Sequence, residues 1–556
     1  MSKFINTNNI TIKYNSFDEY LLYTPEPDSV VEHSWRLLPN ILSAIEVIIQ
    51  YQTKKILIVG DYDVDGTNAT AVLLNGLKNA NFTNVSYLIP DRLQDGYGIT
   101  ANLVKKIDAL KPELIITVDN GITAINSILQ LYQMDYKVII TDHHEPKPDG
   151  ILPVCEAVID PKLQTSEYPF KDICGTVVAY KLIQGIYETL QLNFNKNEYL
   201  PYLTLATIAD VMPLINENRT IVKNGLQQIA SYPNTMYRAI FKVFGRQKIK
   251  QEHLKASDFG FYVGPLLNAY SRMTGKTDVV MQLLLSNSDD ECITLVNTLL
   301  SYNEQRKLEE QKIQVICDNF VQSIYPEIYE HKEKYPIVIG HSGLHHGVLG
   351  INAAKTAEKY GVPTIILTGD KKDLKTVTGS ARTYGNINLI ELFKYCDAIL
   401  EGYGGHTGAA GVAVDITNVK NFRRQLQEYS QKYLSDDNYQ VQSIIDAKIT
   451  ANDITVNNAR RLLTREPYGI GFNEPTFYSQ NWKIIKKFVF GKAKNVLKLQ
   501  LEQNGVFVDA IMFFVNMDTI NSYQVNDVVD VVFNLNINNY RGNETVQLLM
   551  RGLSHS

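Results

Sequence analysis

KKILIVGDYDVDG, residues 54–66, runs from an apolar stretch straight into three aspartates, and how it is read decides the fold. Ile56, Leu57, Ile58 and Val59 form the unbroken apolar run expected of a strand covered on both faces. The pattern recurs downstream as VSYLIP, ELIITVD and KVIITD, with helical patterns between the runs from Ala69 to Asn79, from Thr100 and from Thr123. This is the βαβ rhythm of a parallel, doubly wound α/β sheet. A domain is expected over residues 51–235, its second half, from Val177 to about Ser231, mainly helical.

Acidic and imidazole residues gather where the strands end. Asp61, Asp63 and Asp65 follow the first run, Asp119 follows LIITV, and Asp142, His143 and His144 follow KVIIT; Asp210 lies in LATIADVMPL. The first three motifs sit at carboxyl ends of predicted parallel strands, where open α/β sheets place their ligands. One such aspartate is usually a turn or helix-cap residue. A DxD, a second strand-end Asp and an Asp-His-His on successive strands are hard to explain as independent caps. Alternation at the strand end points Asp63 and Asp65 the same way. Two carboxylates that close repel one another unless a divalent cation joins them, and oxygen with imidazole donors suits Mn²⁺ or Mg²⁺.

Composition fits this reading. With 556 residues, 45% apolar and 20% charged, the chain is ordinary globular protein of several domains. The formal charge of −5 does not by itself announce a nucleic-acid partner. Cations held by the acidic cluster would offset part of it, and a basic face can exist on an acidic protein. Five scattered cysteines without a CxxC pair suggest neither a disulfide framework nor structural zinc. No leader-like segment and no apolar stretch of roughly 20 residues occurs, so a cytoplasmic protein that does not enter membranes is expected.

Residues 236–325 read as a helical connector ending in a long linking helix from Asp289 to Ile324. A smaller α/β unit follows over 326–434, from PIVIGHSG through VPTIILTG. Residues 435–556 carry strands punctuated by Asn and Gly and read as a small β-barrel. Residues 1–50 form an N-terminal segment without diagnostic pattern.

Together DYDVDG, VDNG, DHH and ATIADVMPL resemble the successive motifs of the DHH phosphoesterases. The resemblance implies a two-metal site in which Asp63 serves one cation, Asp65, His143 and Asp210 the other, and Asp119 both, with His144 touching the substrate phosphate. Pyrophosphatase relatives carry a further His ligand at the place of Val59; Asp61 is the candidate to replace it or to orient the loop. GYGGHTGAAG, residues 402–411, resembles the signature of the DHHA1 domain. Its glycines are expected to bring backbone N–H groups to a phosphate at a helix start, with His406 as a donor.

Further segments resemble RecJ-type exonucleases. GSAR offers Ser380 and Arg382, and PDRLQDGYG offers Arg92, for a terminal 5′-phosphate; the planar fork of Arg suits that task. GPLLNAYSRM keeps Asn268 and Arg272 for the nucleic-acid backbone but departs from the pattern at Leu266, Tyr270 and Ser271. YGIGFNEPTF and the strands after it resemble the junction into an OB-fold domain. There Lys483, Lys486, Lys487, Lys492, Lys494 and Lys498 alternate with Trp482, Phe488 and Phe490 as a candidate single-strand grip.

The resemblance implies a 5′-3′ exonuclease of single-stranded nucleic acid, DNA favoured, in repair or recombination. A monomer is expected, with a helicase or single-strand-binding protein as partner. The other readings are a DHH phosphodiesterase for short oligonucleotides and a non-catalytic replication scaffold. Short enzymes of this kind stop after DHHA1, and degenerate scaffolds have lost ligands that are present here.

Overall fold

β1 (Ile10–Tyr14) opens the described chain and pairs in parallel with Ser443–Lys448, near its other end. The computed structural model describes residues 10–27, 32–96, 98–147, 149–245, 248–330, 332–369, 375–441, 443–491, 494–540 and 542–556. They fall into two units, Ser29–Val441 and a smaller one that joins Met1–Asp28 to Gln442–Ser556.

In the larger unit, β2 (Ile56–Val59), β3 (Val85–Leu88), β4 (Leu114–Val118), β5 (Lys137–Thr141) and β6 (Ala157–Ile159) form an all-parallel sheet in the order β3-β2-β4-β5-β6. Strands β2 and β4 are buried at every residue, as their unbroken apolar runs require. Each face of the sheet has its own core. Ile58, Ile116 and Ile139 pack into one, and Leu57, Ile115 and Ile140 into the other. Helices Val64–Asn79 and Gly175–Thr189 lie together over the first face. They approach so closely at Gly76 that a Cβ there would stand 2.6 Å from Ile183 Cδ1.

Helix Asp289–Ile324 runs 36 residues from the cap of Ser288, which accepts from the Glu291 backbone N–H. Its first half buries Leu295, Val296 and Leu299 in the core of the helical connector. Its second half buries Ile313, Cys317 and Val321 under a second sheet. That sheet contains β7 (Ile337–Gly340), β8 (Thr364–Thr368), β9 (Thr376–Arg382), β10 (Leu400–Gly405) and β11 (Ala409–Asp415), ordered β10-β11-β9-β8-β7. Only β7 and β8 are parallel.

One expectation is corrected here. The glycine-rich stretch 402–411 is not the start of a helix; it is the β10–β11 hairpin. The absent side chains let two strands pair closely rather than opening a helix N-terminus to an anion.

In the smaller unit, β12 (Ser443–Lys448) bridges β1 to β13 (Phe477–Phe490). Strands β14 (Val496–Gln503), β15 (Val506–Phe513), β16 (Val528–Tyr540) and β17 (Asn543–His555) continue the sheet as β13-β14-β15-β17-β16, and β16 returns to β13. The strands thus close into a five-stranded barrel with the strand order of an OB-fold. Leu497, Leu499, Leu501, Val508, Ala510 and Met512 fill it by alternation. Phe17 and Tyr20, from the start of the chain, pack against Phe477 in the same core.

Candidate metal centre

The first loop is shaped by what closes around it. After β2 the chain passes Gly60, where a Cβ would collide with Thr70 Oγ1 at 2.1 Å, and turns into helix Val64–Asn79. Asp63 caps that helix, its Oδ1 accepting from the Gly66 N–H at 3.0 Å. Asp65 lies in the first turn and is gripped by the start of the neighbouring helix. It accepts from the N–H groups of Gly175 and Thr176 at 2.6 and 2.8 Å and from Thr176 Oγ1 at 2.6 Å. The expected alternation of Asp63 and Asp65 is corrected accordingly. The strand has ended before them, and helical geometry sends the two carboxylates to different groups of candidate ligands.

Asp119 follows β4 in a left-handed conformation, φ 60°, fixed by its N–H donating to Thr141 O at 3.0 Å. Asp142, at the end of β5, is the hub of its loop. It accepts from the N–H groups of Ile122, His143 and His144 and from the His144 ring at 2.7 Å. Asp210 is the C-cap of helix Leu200–Ala209.

These four segments converge. Asp61, Asp63 and Asp119 form one group whose ligand atoms lie within 4.8 Å of one another; Asp65, His143 and Asp210 form a second, and Asp119, His143 and His144 a third. His143 Nε2 stands 3.6 Å from both Asp65 Oδ2 and Asp210 Oδ2.

The electrostatics are those of a cation site. Burial pushes the carboxyls of Asp61, Asp119 and Asp210 well above the ordinary range and raises Asp63 as well, and neighbouring carboxylates add to the effect. Burial also lowers His143 to about 4, despite Asp65, so its imidazole is neutral with a lone pair to offer. For His144, burial opposes the charge, but the hydrogen bond and charge of Asp142 prevail and lift it to about 9. Burial alone would raise Asp142; the bond and charge of His144 outweigh it and hold the carboxyl below its usual range. Asp61 Oδ1, Asp119 Oδ1, Asp210 Oδ2 and both His143 ring nitrogens are buried without a hydrogen-bond partner. Buried polar atoms left without a partner are costly, and a cation would satisfy the carboxylate oxygens and the imidazole lone pair together. The oxygen-rich donor set with one imidazole fits Mn²⁺ or Mg²⁺.

In the same unit several guanidinium ions lie within electrostatic reach of the acidic group, Arg92 acting on Asp61 and Asp63, and Asp63 on Arg272. Burial, and then the charges of Arg92, Arg306 and Arg382, depress Arg272 to about 9. Arg382 is lowered by burial and by Arg92. Ser380 and Arg382 lie two residues apart on β9 and so share a face. Asn268 and Arg272 are i, i+4 neighbours on helix Gly264–Thr274. Arg272 Nη1 donates to Gly347 O at 3.1 Å, and Asn268 Oδ1 is a buried acceptor without a partner.

Comparison with known proteins gives this arrangement its family. The model of the DHH family N-terminal domain matches residues 55–210, that of the DHHA1 domain 332–432 and that of the RecJ OB domain 445–552. The single-stranded-DNA-specific exonuclease RecJ of Haemophilus influenzae is 30% identical over 541 residues, 92% of this chain and 91% of that protein. The chain belongs to the RecJ family. The crystal structure of RecJ in complex with Mn²⁺ from Thermus thermophilus superposes with a TM-score of 0.76 at 25% identity, covering 93% of this chain and 72% of that one. A crystal structure of exonuclease RecJ bound to manganese gives a TM-score of 0.61 at 29% identity, over 74% of this chain and 99% of that one.

The departures from the RecJ-type pattern in GPLLNAYSRM are absorbed by packing. Leu266 is buried in the connector core, the Tyr270 hydroxyl donates to Asp278 Oδ1 at 3.1 Å, and buried Ser271 donates to Asn268 O at 3.4 Å. His406 sits exposed at the β10–β11 hairpin, apart from the three groups of candidate ligands.

The basic and aromatic set in the RecJ OB domain divides in two. Trp482 is fully buried and donates to Ser479 Oγ, and Lys487 donates to the carbonyls of Ile520 and Tyr523. Neither is available as a surface grip, which corrects their assignment. Phe488 and Phe490 are 44% and 49% exposed and stack on each other. The register sets Phe488 beside Lys498, and Phe490 beside Val496, which in turn neighbours Phe513. Lys483, Lys486 and Lys494 are exposed, whereas Lys498 pairs with Asp509 at 2.8 Å; Lys492 lies outside the described residues.

The sequence reading passed over Gly175 and Thr176, whose donors hold Asp65. A Gly-Thr pair ahead of the apolar run VVAYKLI is a helix-start signal that could have found them. Arg306, whose charge reaches Arg272, is spent on Asn303 and Glu310 of its own helix.

Proposed function

We propose that this chain is a metal-dependent 5′-3′ exonuclease that hydrolyses phosphodiester bonds of single-stranded DNA in repair and recombination. The observation that carries the reading is the convergence of Asp61, Asp63, Asp65, Asp119, His143 and Asp210, with buried acceptors left unsatisfied, at the carboxyl edge of a parallel sheet. The relatives named single-stranded-DNA-specific exonuclease RecJ supply the substrate class.

Asp63 and Asp119, with Asp61, would hold one divalent cation, and Asp65, His143 and Asp210, with Asp119 shared, the second. When bound, such a pair supplies the Lewis-acid chemistry of an in-line phosphoryl displacement. His144, protonated at neutral pH and steered by Asp142, donates to a non-bridging oxygen of the scissile phosphate. Arg92, Ser380 and Arg382 receive the terminal phosphate, Asn268 and Arg272 steady the backbone between, and His406 is an outer contact. The exposed phenylalanines of the barrel offer faces on which unpaired bases stack.

An enzyme restricted to unpaired strands needs another activity to expose them, so a helicase or single-strand-binding protein is the expected partner of this monomer. A DNA substrate places the work in the cytoplasm; among the described residues, no helix is long and apolar enough to cross a membrane. Digestion of end-labelled single- and double-stranded DNA and RNA, with Mn²⁺, Mg²⁺ or chelator, tests the whole reading. Release of mononucleotides from the 5′ end of single-stranded DNA, only with metal, is expected. Equal attack on duplex, or activity in chelator, refutes it.

A further inference from the structure

Within the acidic loop, under the guanidinium of Arg92, lies an aromatic ring to which the functional reading assigns no task. Tyr62 follows Asp61 and precedes Asp63, and the guanidinium of Arg92 lies over its ring, 4.6 Å from the centroid. The backbone of Arg92 is fixed independently. Its N–H donates to Gly275 O at 2.8 Å, and Asp91 Oδ1 accepts from the N–H groups of Leu93 and Gln94. Gly275 has φ 82°, and a Cβ there would stand 2.1 Å from Asp91 Oδ1, so the two loops interlock where only glycine fits.

With its backbone pinned, Arg92 has a choice only of side-chain partner. Asp61 and Asp63 both feel its charge. An Arg with an open path to a carboxylate closes a bidentate pair, and its donors are then spent. A ring face offers a weaker resting place. It engages the flat of the guanidinium and leaves the N–H edge for an anion that arrives later.

We propose that Tyr62 is a positioning residue that keeps Arg92 off the Asp61 and Asp63 carboxylates and holds it ready for the terminal phosphate of the strand. The inference rests on the reading of Arg92 as a terminal-phosphate donor given above.

The test compares the parent protein with Tyr62→Phe and Tyr62→Leu. Affinity for 5′-phosphorylated and 5′-hydroxyl oligonucleotides is measured by fluorescence anisotropy in EDTA, and the melting temperature of each variant is recorded. Tyr62→Phe keeps the ring and the parent's preference for the phosphorylated end. Tyr62→Leu loses preference by roughly 3- to 30-fold. Adding Asp61→Asn to Tyr62→Leu, which removes a competing carboxylate, recovers part of it. The inference is overturned if Tyr62→Leu discriminates like the parent, or if Tyr62→Phe loses as much as Tyr62→Leu. Should Tyr62→Leu fail to fold, Tyr62→Met carries the same comparison. A parent without any preference for the phosphorylated end removes the terminal-phosphate reading itself, and this inference with it.

Discussion

His143 Nε2 lies 3.0 Å from Asp119 Oδ1, and neither atom makes a hydrogen bond. Facing each other at that distance without hydrogen-bond geometry, the two atoms are placed to share a cation when Nε2 offers its lone pair and the carboxyl is ionised. Asp119 lies with Asp61 and Asp63 in one group of candidate ligands and with His143 and His144 in another.

Asp119→Asn is therefore expected to abolish cleavage while stabilising the metal-free fold. Its carboxyl is held well above the ordinary range by burial and by Asp65, Asp63, Asp210 and Asp61, so ionising it at neutral pH costs folding free energy. Each kcal/mol recovered should raise the melting temperature by roughly 2–4 °C for a domain of this size. Calorimetry in EDTA checks this; a variant that melts below the parent contradicts it.

Asp142→Asn should reduce kcat/KM by about 10- to 100-fold, the range for outer groups that orient a site. The loss arises because His144 no longer has the carboxylate that lifts it to about 9. The informative reading is the pH–rate profile. Its alkaline limb should move to lower pH in Asp142→Asn, and a uniform drop without movement would show that Asp142 acts only through the fold.

His144 also sets a pH dependence of stability. Its folded pKa of about 9 exceeds the unfolded value of ~6.5, so the folded state holds the proton more tightly. The stability this contributes is complete below pH ~6.5 and is lost as pH rises through about 9. Melting temperatures of the metal-free protein across that window should fall more steeply for the parent than for His144→Gln. Parallel curves would contradict the assignment.

Arg382→Ala should lower the preference for 5′-phosphorylated over 5′-hydroxyl ends by roughly 1.5–3 kcal/mol, the worth of a charged hydrogen bond. Equal losses on both ends would show that Arg382 grips the strand elsewhere.

In the barrel, Phe490→Ala should weaken binding of long single strands by about 1–3 kcal/mol with little change in melting temperature. Trp482→Ala should do the reverse, since truncating a buried Trp typically costs about 3–5 kcal/mol of stability. If Trp482→Ala instead spares stability and loses affinity, the division between buried and exposed aromatics is wrong.

Much of this was legible in local sequence. Unbroken apolar runs located the parallel strands, and the residues after them met because strands of one parallel sheet end on one edge. What was misread depended on information that is not local. Alternation suggested that Asp63 and Asp65 point together, but the strand stops at Val59 and the helix beginning at Val64 separates them. The register shift between Ile484 and Lys486 changes the phase of β13, so Lys487 turns to the carbonyls of Ile520 and Tyr523 rather than to solvent. Glycines in GYGGHTGAAG permit a helix start and a hairpin equally well, and pairing with β9 decided for the hairpin. β1 was unreadable because its partner, β12, lies at the far end of the chain.

The central claim, that separate stretches of chain hold a pair of divalent cations, is tested most directly by calorimetric titration of metal-stripped protein with Mn²⁺. Two ions should bind per chain, and Asp119→Asn should lose or severely weaken both sites. Binding of no ion by the parent, or two-ion binding unchanged in Asp119→Asn, would contradict the account.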